Sequence, residues 1–207
     1  MYLEYQGLFD RIRQHYFTRV IQRLQRQGCT RLLDFGCGPG DVLQRCEELG
    51  LPALGIDNSP RSVALAHQRG LSVLLGGVDS PALKREPFDA VFMQSVIEHL
   101  PDACAQLQQL IDLLPPGGLL FLSAPTPCSD FWNDPTHVRP FTPRSFQILG
   151  DLLNLEVIEI NYVFSFLLGW HLQSAVWYKL LNLVPVALGS NLVGIYRKPT
   201  DAAGSER

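Results

Sequence analysis

The chain has 207 residues, of which 46% are hydrophobic and 18% charged, and 17 Lys+Arg against 20 Asp+Glu leave a formal net charge of −3. At about 150 residues per domain this predicts a single domain with a full core and excludes wholesale disorder. The mildly acidic balance argues against a generic nucleic-acid binder, so no nucleic-acid partner is expected.

Taken in chain order, residues 4–27 read as an amphipathic helix. Leu8, Ile12, Tyr16, Val20 and Leu24 recur every four residues, Phe9, Phe17 and Ile21 widen the stripe, and Gly28 stops it. From Arg11 to Arg31 this region carries arginines at 11, 13, 19, 23, 26 and 31 and no acid. Either a solvated helix face or attraction to anionic lipid explains such a run. The chain then alternates. Strands are expected at 31–35, 53–57, 72–75, 88–93 and 119–123, with helices at 41–49, 60–69 and 102–114 between them. This rhythm implies βαβ units, hence a doubly wound α/β fold with a mostly parallel sheet and helices on both faces. Residues 124–141 read as a long loop, which inside a compact domain is usually functional. Thr142 and Pro143 look like the N-cap and first residue of a helix to about Leu153, followed by a strand at 156–162 and a last strand at 191–197. The tail from Pro199 is small and polar, and is expected to fray.

Five cysteines, at 29, 37, 46, 104 and 128, form no C-x-x-C pair. Neither a disulfide framework nor a zinc ribbon is indicated, and reduced thiols in a cytoplasm are the plain expectation. The first ten residues show no basic segment followed by an apolar one, so no signal peptide is expected.

The most informative stretch runs Asp34-Phe35-Gly36-Cys37-Gly38-Pro39-Gly40. A strand ending in an acid enters a Gly-x-Gly-x-Gly turn that opens a helix. In a doubly wound sheet, ligands bind beyond the carboxyl ends of the strands, where glycines let the backbone come close. The next strand ends Gly55-Ile56-Asp57, placing an acid where a ribose diol would be held. A dinucleotide prefers G-x-G-x-x-G with its pyrophosphate on the helix start. Here the third glycine comes one residue early, and Asp34 would repel a pyrophosphate. A ligand with a cationic amine and no phosphate, such as S-adenosylmethionine (SAM), meets neither objection: Asp34 would face its ammonium or anchor the loop, and the turn's amides would take its carboxylate.

With these residues in view, the sequence resembles the class I SAM-dependent methyltransferases, within them the small bacterial ubiquinone-methyltransferase-like kind. Leu32–Gly40 matches the family's first motif and Gly55–Ser59 its second. Phe88–Phe92 with Ile97-Glu98-His99-Leu100 matches the fourth-strand region, and Leu114–Ser123 the turn and fifth strand. The resemblance covers roughly 30–160 and implies a seven-stranded Rossmann-like sheet whose last strand runs antiparallel. It implies SAM as cofactor. Asp34, Gly36, Cys37, Gly38 and Gly40 would lie at its methionine part, Asp57 at the ribose, Asn58 or Val78-Asp79 at the adenine, and Gln94-Ser95 near the donor methyl. For Asp79 a simple helix N-cap explains the residue equally well.

On the acceptor side, His137 lies in the long loop and His99 follows the fourth strand. An imidazole titrating near neutrality suits removal of a hydroxyl proton, so both are candidate catalytic residues. Against this, His137 could staple the loop, its ring bonded to Asp134 or to a backbone carbonyl, and Glu-His-Leu is a recurrent helix start in the resembled family. Glu98, His99 and His137 could jointly hold a divalent metal, but no spacing in the chain sets their distances, and no metal is expected from sequence.

From Ile160 to Tyr196 the only formal charge is Lys179. The apolar stretch 163–189 reads as a helical insertion before the last strand. It either packs as a lid over the acceptor pocket or lies in a membrane interface, with Trp170 and Trp177 seven apart on one face. A true span is disfavoured by Gly169, His171, Gln173, Lys179 and Pro185. The expected function is therefore SAM-dependent methylation of a small-molecule, saccharide or lipid-linked acceptor, most simply at a hydroxyl. The expected location is the cytoplasm, with contact at the inner face of the membrane left open. A nicotinamide-dependent oxidoreductase and an inactive SAM-binding module are the competing readings.

Overall fold

The computed structural model describes the backbone of residues 2–127, 129–164 and 190–200, and the side chains of 13–127, 131–163 and 191–200. Among the described residues, five helices, α1 (Tyr2–Arg26), α2 (Asp41–Glu48), α3 (Pro60–Gln68), α4 (Ala103–Asp112) and α5 (Pro143–Leu152), accompany seven strands. These are β1 (Leu32–Phe35), β2 (Ala53–Asp57), β3 (Val73–Leu75), β4 (Ala90–Gln94), β5 (Leu119–Pro125), β6 (Glu156–Phe164) and β7 (Ser190–Arg197). The strands form one sheet in the order β3-β2-β1-β4-β5-β7-β6. β1 to β5 are mutually parallel, and β7 runs antiparallel to both β5 and β6. The doubly wound, mostly parallel sheet expected from the alternation is the one that forms.

Along β1, β4 and β5 successive side chains face opposite ways, as the pleat requires. Leu33, Val91 and Leu120 join the core under α4 and α5. Leu32, Phe92 and Phe121 join the core under α1 and α2, which Phe17, Ile21 and Leu24 of α1 complete. The Phe92 and Phe121 rings stack at 4.4 Å, and Phe17 meets Phe92 edge-on. Of the stripe read on the first helix, Phe17, Ile21 and Leu24 are buried and Tyr16 and Val20 partly so. Three arginines of the basic run 11–31 are paired within the chain, two on α1 and one just before β1: Arg13 with Asp41 at 3.1 Å, Arg23 with Glu159, and Arg31 with Glu86. Those pairs leave less of the run for anionic lipid than its sequence suggests.

Two expectations need adjustment. The stretch after Ser123 is not wholly irregular: β5 continues to Pro125 because Ala124 and Pro125 pair with Leu192 and Asn191, and a 3-10 turn forms at Ser129–Asn133. β6 runs to Phe164, two residues into the segment assigned to the apolar insertion, because Val163 and Phe164 pair with Asn191 and Ser190. The remainder of that insertion, 165–189, lies outside the described residues, and so do the lid and interface readings attached to it. Among the described residues, no helix is long and apolar enough to cross a membrane.

Candidate functional site

β1 lies between β2 and β4, so the strand order reverses there. A crevice opens beyond the carboxyl ends of strands at such a reversal. Every residue singled out for cofactor binding comes to this edge or to the loops leaving it.

Gly36, Gly38 and Gly40 all adopt the left-handed conformation, with φ of 74°, 54° and 87°. A Cβ on Gly36 would stand 2.3 Å from Val96 Cγ2, so this glycine is required by packing as well as by backbone. A Cβ on Gly38 would meet nothing within 4 Å. A side chain there would occupy open space beside the turn, where a ligand would need the backbone bare. Asp57 has a second task that sequence reasoning missed: its Oδ2 accepts from the Gly38 amide and its Oδ1 from the Ser59 amide, both at 2.8 Å. It ties the turn after β1 to the turn after β2 and keeps lone pairs for a diol.

One expectation is corrected here. The turn's amides were expected to receive the cofactor's carboxylate, but the fold already uses them. Gly36 and Cys37 donate to Ile56 O at 2.8 and 3.2 Å, Gly38 to Asp57, and Gly40 to Cys37 O at 3.0 Å. Cys37 directs its thiol away from any ligand role, donating to Gly38 O at 3.6 Å. Its thiol packs into the core, 2.7 Å from where a Gly55 Cβ would sit, and burial holds it well above the usual thiol range. Asn58, Ser95 and Asp79 are exposed and Val78 is partly buried. No helix starts at Asp79; it lies in a turn closed by the Ser80 amide on Gly77 O, so the N-cap alternative falls away. Ser95 takes φ 52°, a conformation costly for a residue with a Cβ and concentrated at functional sites, and its amide is held by Ser123 O at 2.8 Å.

Asp34 is 2% exposed, and its Oδ2 has no hydrogen-bond partner among the described residues. Burial first, then the charges of Asp57 and Asp41, push its carboxyl up to about 8. Gln94 Oε1 is likewise buried without a partner. Most buried polar atoms are bonded, so such groups gathered at one crevice mark where a polar ligand completes them. Both stand at strand ends. On α1, the Tyr16 hydroxyl is buried against Ser123 of β5, which is its polar partner. In the sequence this tyrosine looked like part of the apolar stripe; its one polar atom was the available signal. The residues therefore fit a cofactor with a cationic amine and a ribose: an unpaired buried acid, an acid with lone pairs for a diol, and a bare glycine between them.

Past β4 the chain makes a 3-10 turn, Ile97–His99, and the loop after β5 returns over it. The Val138 amide donates to Glu98 O at 2.7 Å, which sets His137 beside His99 with ring centroids 4.8 Å apart. Glu98 is 1% exposed, its Oε2 is unpartnered, and burial pushes its carboxyl up to about 7 against the opposing pull of its own backbone amide and of His137. The hydrogen bonds decide both histidine tautomers. His137 Nδ1 faces Phe131 O at 2.6 Å, and a carbonyl can only accept, so Nδ1 carries the proton. Thr136 gives its hydroxyl proton to Asp134 Oδ1 at 2.6 Å, so at 2.9 Å it accepts from His99 Nδ1. In each neutral ring Nε2 keeps a lone pair. His137 is thus stapled, as one reading held, and the staple is what leaves the lone pair on its other nitrogen.

The model of a family described as "Methyltransferase domain" matches residues 9–160. The chain belongs to this methyltransferase family. The chain is 37% identical over 99 residues to a ubiquinone biosynthesis O-methyltransferase of Cereibacter sphaeroides, a match covering 45% of this chain and 40% of that protein. It therefore spans less than half the length of that curated relative. Among solved structures it resembles a SAM-dependent methyltransferase from Archaeoglobus fulgidus (TM-score 0.71, 21% identity, 96% of this chain and 100% of that one). It also resembles the plantazolicin methyltransferase BpumL in complex with SAH (TM-score 0.62, 14% identity, 91% and 84%). The chain thus has the class I methyltransferase fold that its motifs resembled.

Proposed function

We propose that the methyltransferase moves the methyl group of SAM to a hydroxyl of a small-molecule, saccharide or lipid-linked acceptor. The observation that carries this reading is the pair of Nε2 lone pairs on His99 and His137, left open by the bonds their Nδ1 atoms make. When bound, SAM supplies an electrophilic methyl on a sulfonium. The work left to the protein is to hold the donor, exclude competing orientations and take the acceptor's proton.

Asp34 meets the ammonium, and the meeting restores the charge that burial suppresses in the free protein. Asp57 accepts from the ribose diol while holding Gly38 in place. His137 Nε2 accepts the hydroxyl proton, with the ring oriented by Phe131 O and packed on the Phe131 ring at 4.3 Å. The O-methyltransferase name of the similar proteins supports oxygen as the methylated atom.

A nicotinamide enzyme is disfavoured on a specific ground: the amides that would cradle a pyrophosphate are already bonded, and Asp34 would confront its negative charge. The test is labelled SAM against a panel of phenols, saccharides and lipid-linked hydroxyl compounds, with calorimetric titration of SAM and of NAD. Methyl transfer to oxygen and binding of SAM alone are expected; binding of NAD alone would overturn the reading. The remaining expectations are a cytoplasmic place and, through 163–189, contact with a membrane surface or an apolar acceptor. Sedimentation with anionic vesicles, lost in a Trp170→Ser/Trp177→Ser double variant, checks the membrane contact.

A further inference from the structure

We propose that Glu98, His99 and His137 form a divalent-cation site at the acceptor end of the crevice. One donor atom from each residue lies within 4.8 Å of the others. Glu98 Oε1 stands 4.0 Å from His99 Nε2. Two imidazoles and one carboxylate are a donor set that borderline divalent ions such as Zn²⁺, Co²⁺ or Fe²⁺ take, and one that leaves coordination positions open for water or an acceptor hydroxyl.

Three features separate this cluster from a chance meeting of side chains. Both histidines bond their Nδ1 protons to protein oxygens, which leaves Nε2 as the ligating nitrogen of each. This is the outer arrangement that metal-bound histidines almost always show. Asp134 stands behind His99 only, receiving the hydroxyl proton of the Thr136 that holds it; its Oδ2 lies on the ligating side of His137, 3.8 Å from Nε2. The third residue, Glu98, presents a buried oxygen with no partner among the described residues. Metal–ligand bonds of about 2.0–2.2 Å ask the donors to approach further. His99, 34% exposed and the freest of the three, can supply that movement by rotation.

The site's existence rests on these contacts alone; its role rests on the methyltransferase reading. An acceptor hydroxyl bound at an open position loses its proton to solvent water more readily, leaving an alkoxide or phenolate on the cation. The O–H bond breaks heterolytically, its electron pair stays on oxygen, and no oxidant or reductant enters. The histidines are then ligands, and the base assigned to His137 becomes a water beyond the ion.

The test is titration of tag-free, chelator-stripped protein with Co²⁺, followed by visible absorption and by competition with Zn²⁺, with SAM affinity measured alongside. One Co²⁺ per chain with intensified d–d bands is expected. His99→Ala and Glu98→Gln should each weaken Co²⁺ by at least about 100-fold, and Thr136→Val by about 10–100-fold through the outer contact. All three should leave SAM affinity and thermal unfolding near those of the parent. Asp57→Ala should do the reverse, weakening SAM and sparing Co²⁺. Failure of the parent to bind Co²⁺ or Zn²⁺, or equal Co²⁺ binding in His99→Ala and Glu98→Gln, overturns the site. Loss of SAM binding by the parent would instead overturn the methyltransferase reading and leave the cation result standing on its own.

Discussion

In the turn after β1, the amides of Gly36, Cys37, Gly38 and Gly40 each have a protein acceptor, and Asp57 closes the turn onto the next strand. In the loop after β5, the protein acceptors are arranged to the opposite effect. Phe131 O and Thr136 Oγ1 take the Nδ1 protons of His137 and His99, and the Nε2 lone pairs stay unclaimed beside the buried Glu98 oxygen. The donor end is a shaped, self-satisfied backbone that offers space and two acids. The acceptor end is a set of lone pairs held ready. A mutation at the first should therefore act through shape and donor affinity, and one at the second through rate.

The sharpest way to break this contrast is His137→Ala, which should lower turnover by about 10²–10⁴-fold at saturating SAM while leaving SAM affinity unchanged. Steady-state rates and calorimetry read the two quantities separately; a parallel loss of both would merge the two ends into one. Next in size is the pair Gly36→Ala and Gly38→Ala. The first carries left-handed strain of about 1–2 kcal/mol and an overpacking cost against Val96 of about 1–3 kcal/mol, so denaturant unfolding should show a loss of about 2–5 kcal/mol. The second carries strain only, about 1–2 kcal/mol, but its methyl enters the open space beside the turn and should weaken SAM far more than it weakens the fold. Adding Val96→Ala to Gly36→Ala should recover the overpacking part and not the strain.

Asp57→Ala should weaken SAM by at least about tenfold, since a charge-assisted bond is worth about 1.5–3 kcal/mol. A variant with unchanged SAM affinity would reduce Asp57 to a loop tie. The smallest effect is a slope. Asp34 has its folded pKa raised to about 8 from 3.8, so between these values the folded chain keeps a proton that the unfolded chain has released. Its contribution is present in full below about pH 4 and is lost as pH rises through about 8. Asp34→Asn should flatten that fall, and SAM should flatten it in the parent by pairing the carboxylate. Parallel stability–pH curves for parent and variant would show that Asp34 is not the group responsible.

The donor end was legible from the chain because its signals are local. Apolar runs of four or five residues bounded by turn residues marked β1, β2, β4 and β5. The spacing of Gly36, Gly38 and Gly40 after an acid marked the crevice, and Asp57 fell at the end of the following strand. Local signals could not report how the loop amides are bonded, because Ile56 O reaches Gly36 only across the β1–β2 register. Nor could they separate Tyr16 from the apolar stripe, since its polar partner lies on β5.

The acceptor end divides differently. The residue types were visible: two histidines, a glutamate beside one of them, and a loop too long to be a simple connection. Their convergence was not, because it depends on one backbone hydrogen bond between residues 40 apart, Val138 to Glu98, and on which imidazole nitrogen a carbonyl and a threonine hydroxyl claim. By itself the sequence determined the strand order's raw material, the glycine turn and the two acids, since periodicity and turn chemistry act within a few residues. The tertiary structure alone decided which amides were taken, which lone pairs stayed open and how near Glu98, His99 and His137 stand. Those depend on register and side-chain direction across elements far apart in the chain.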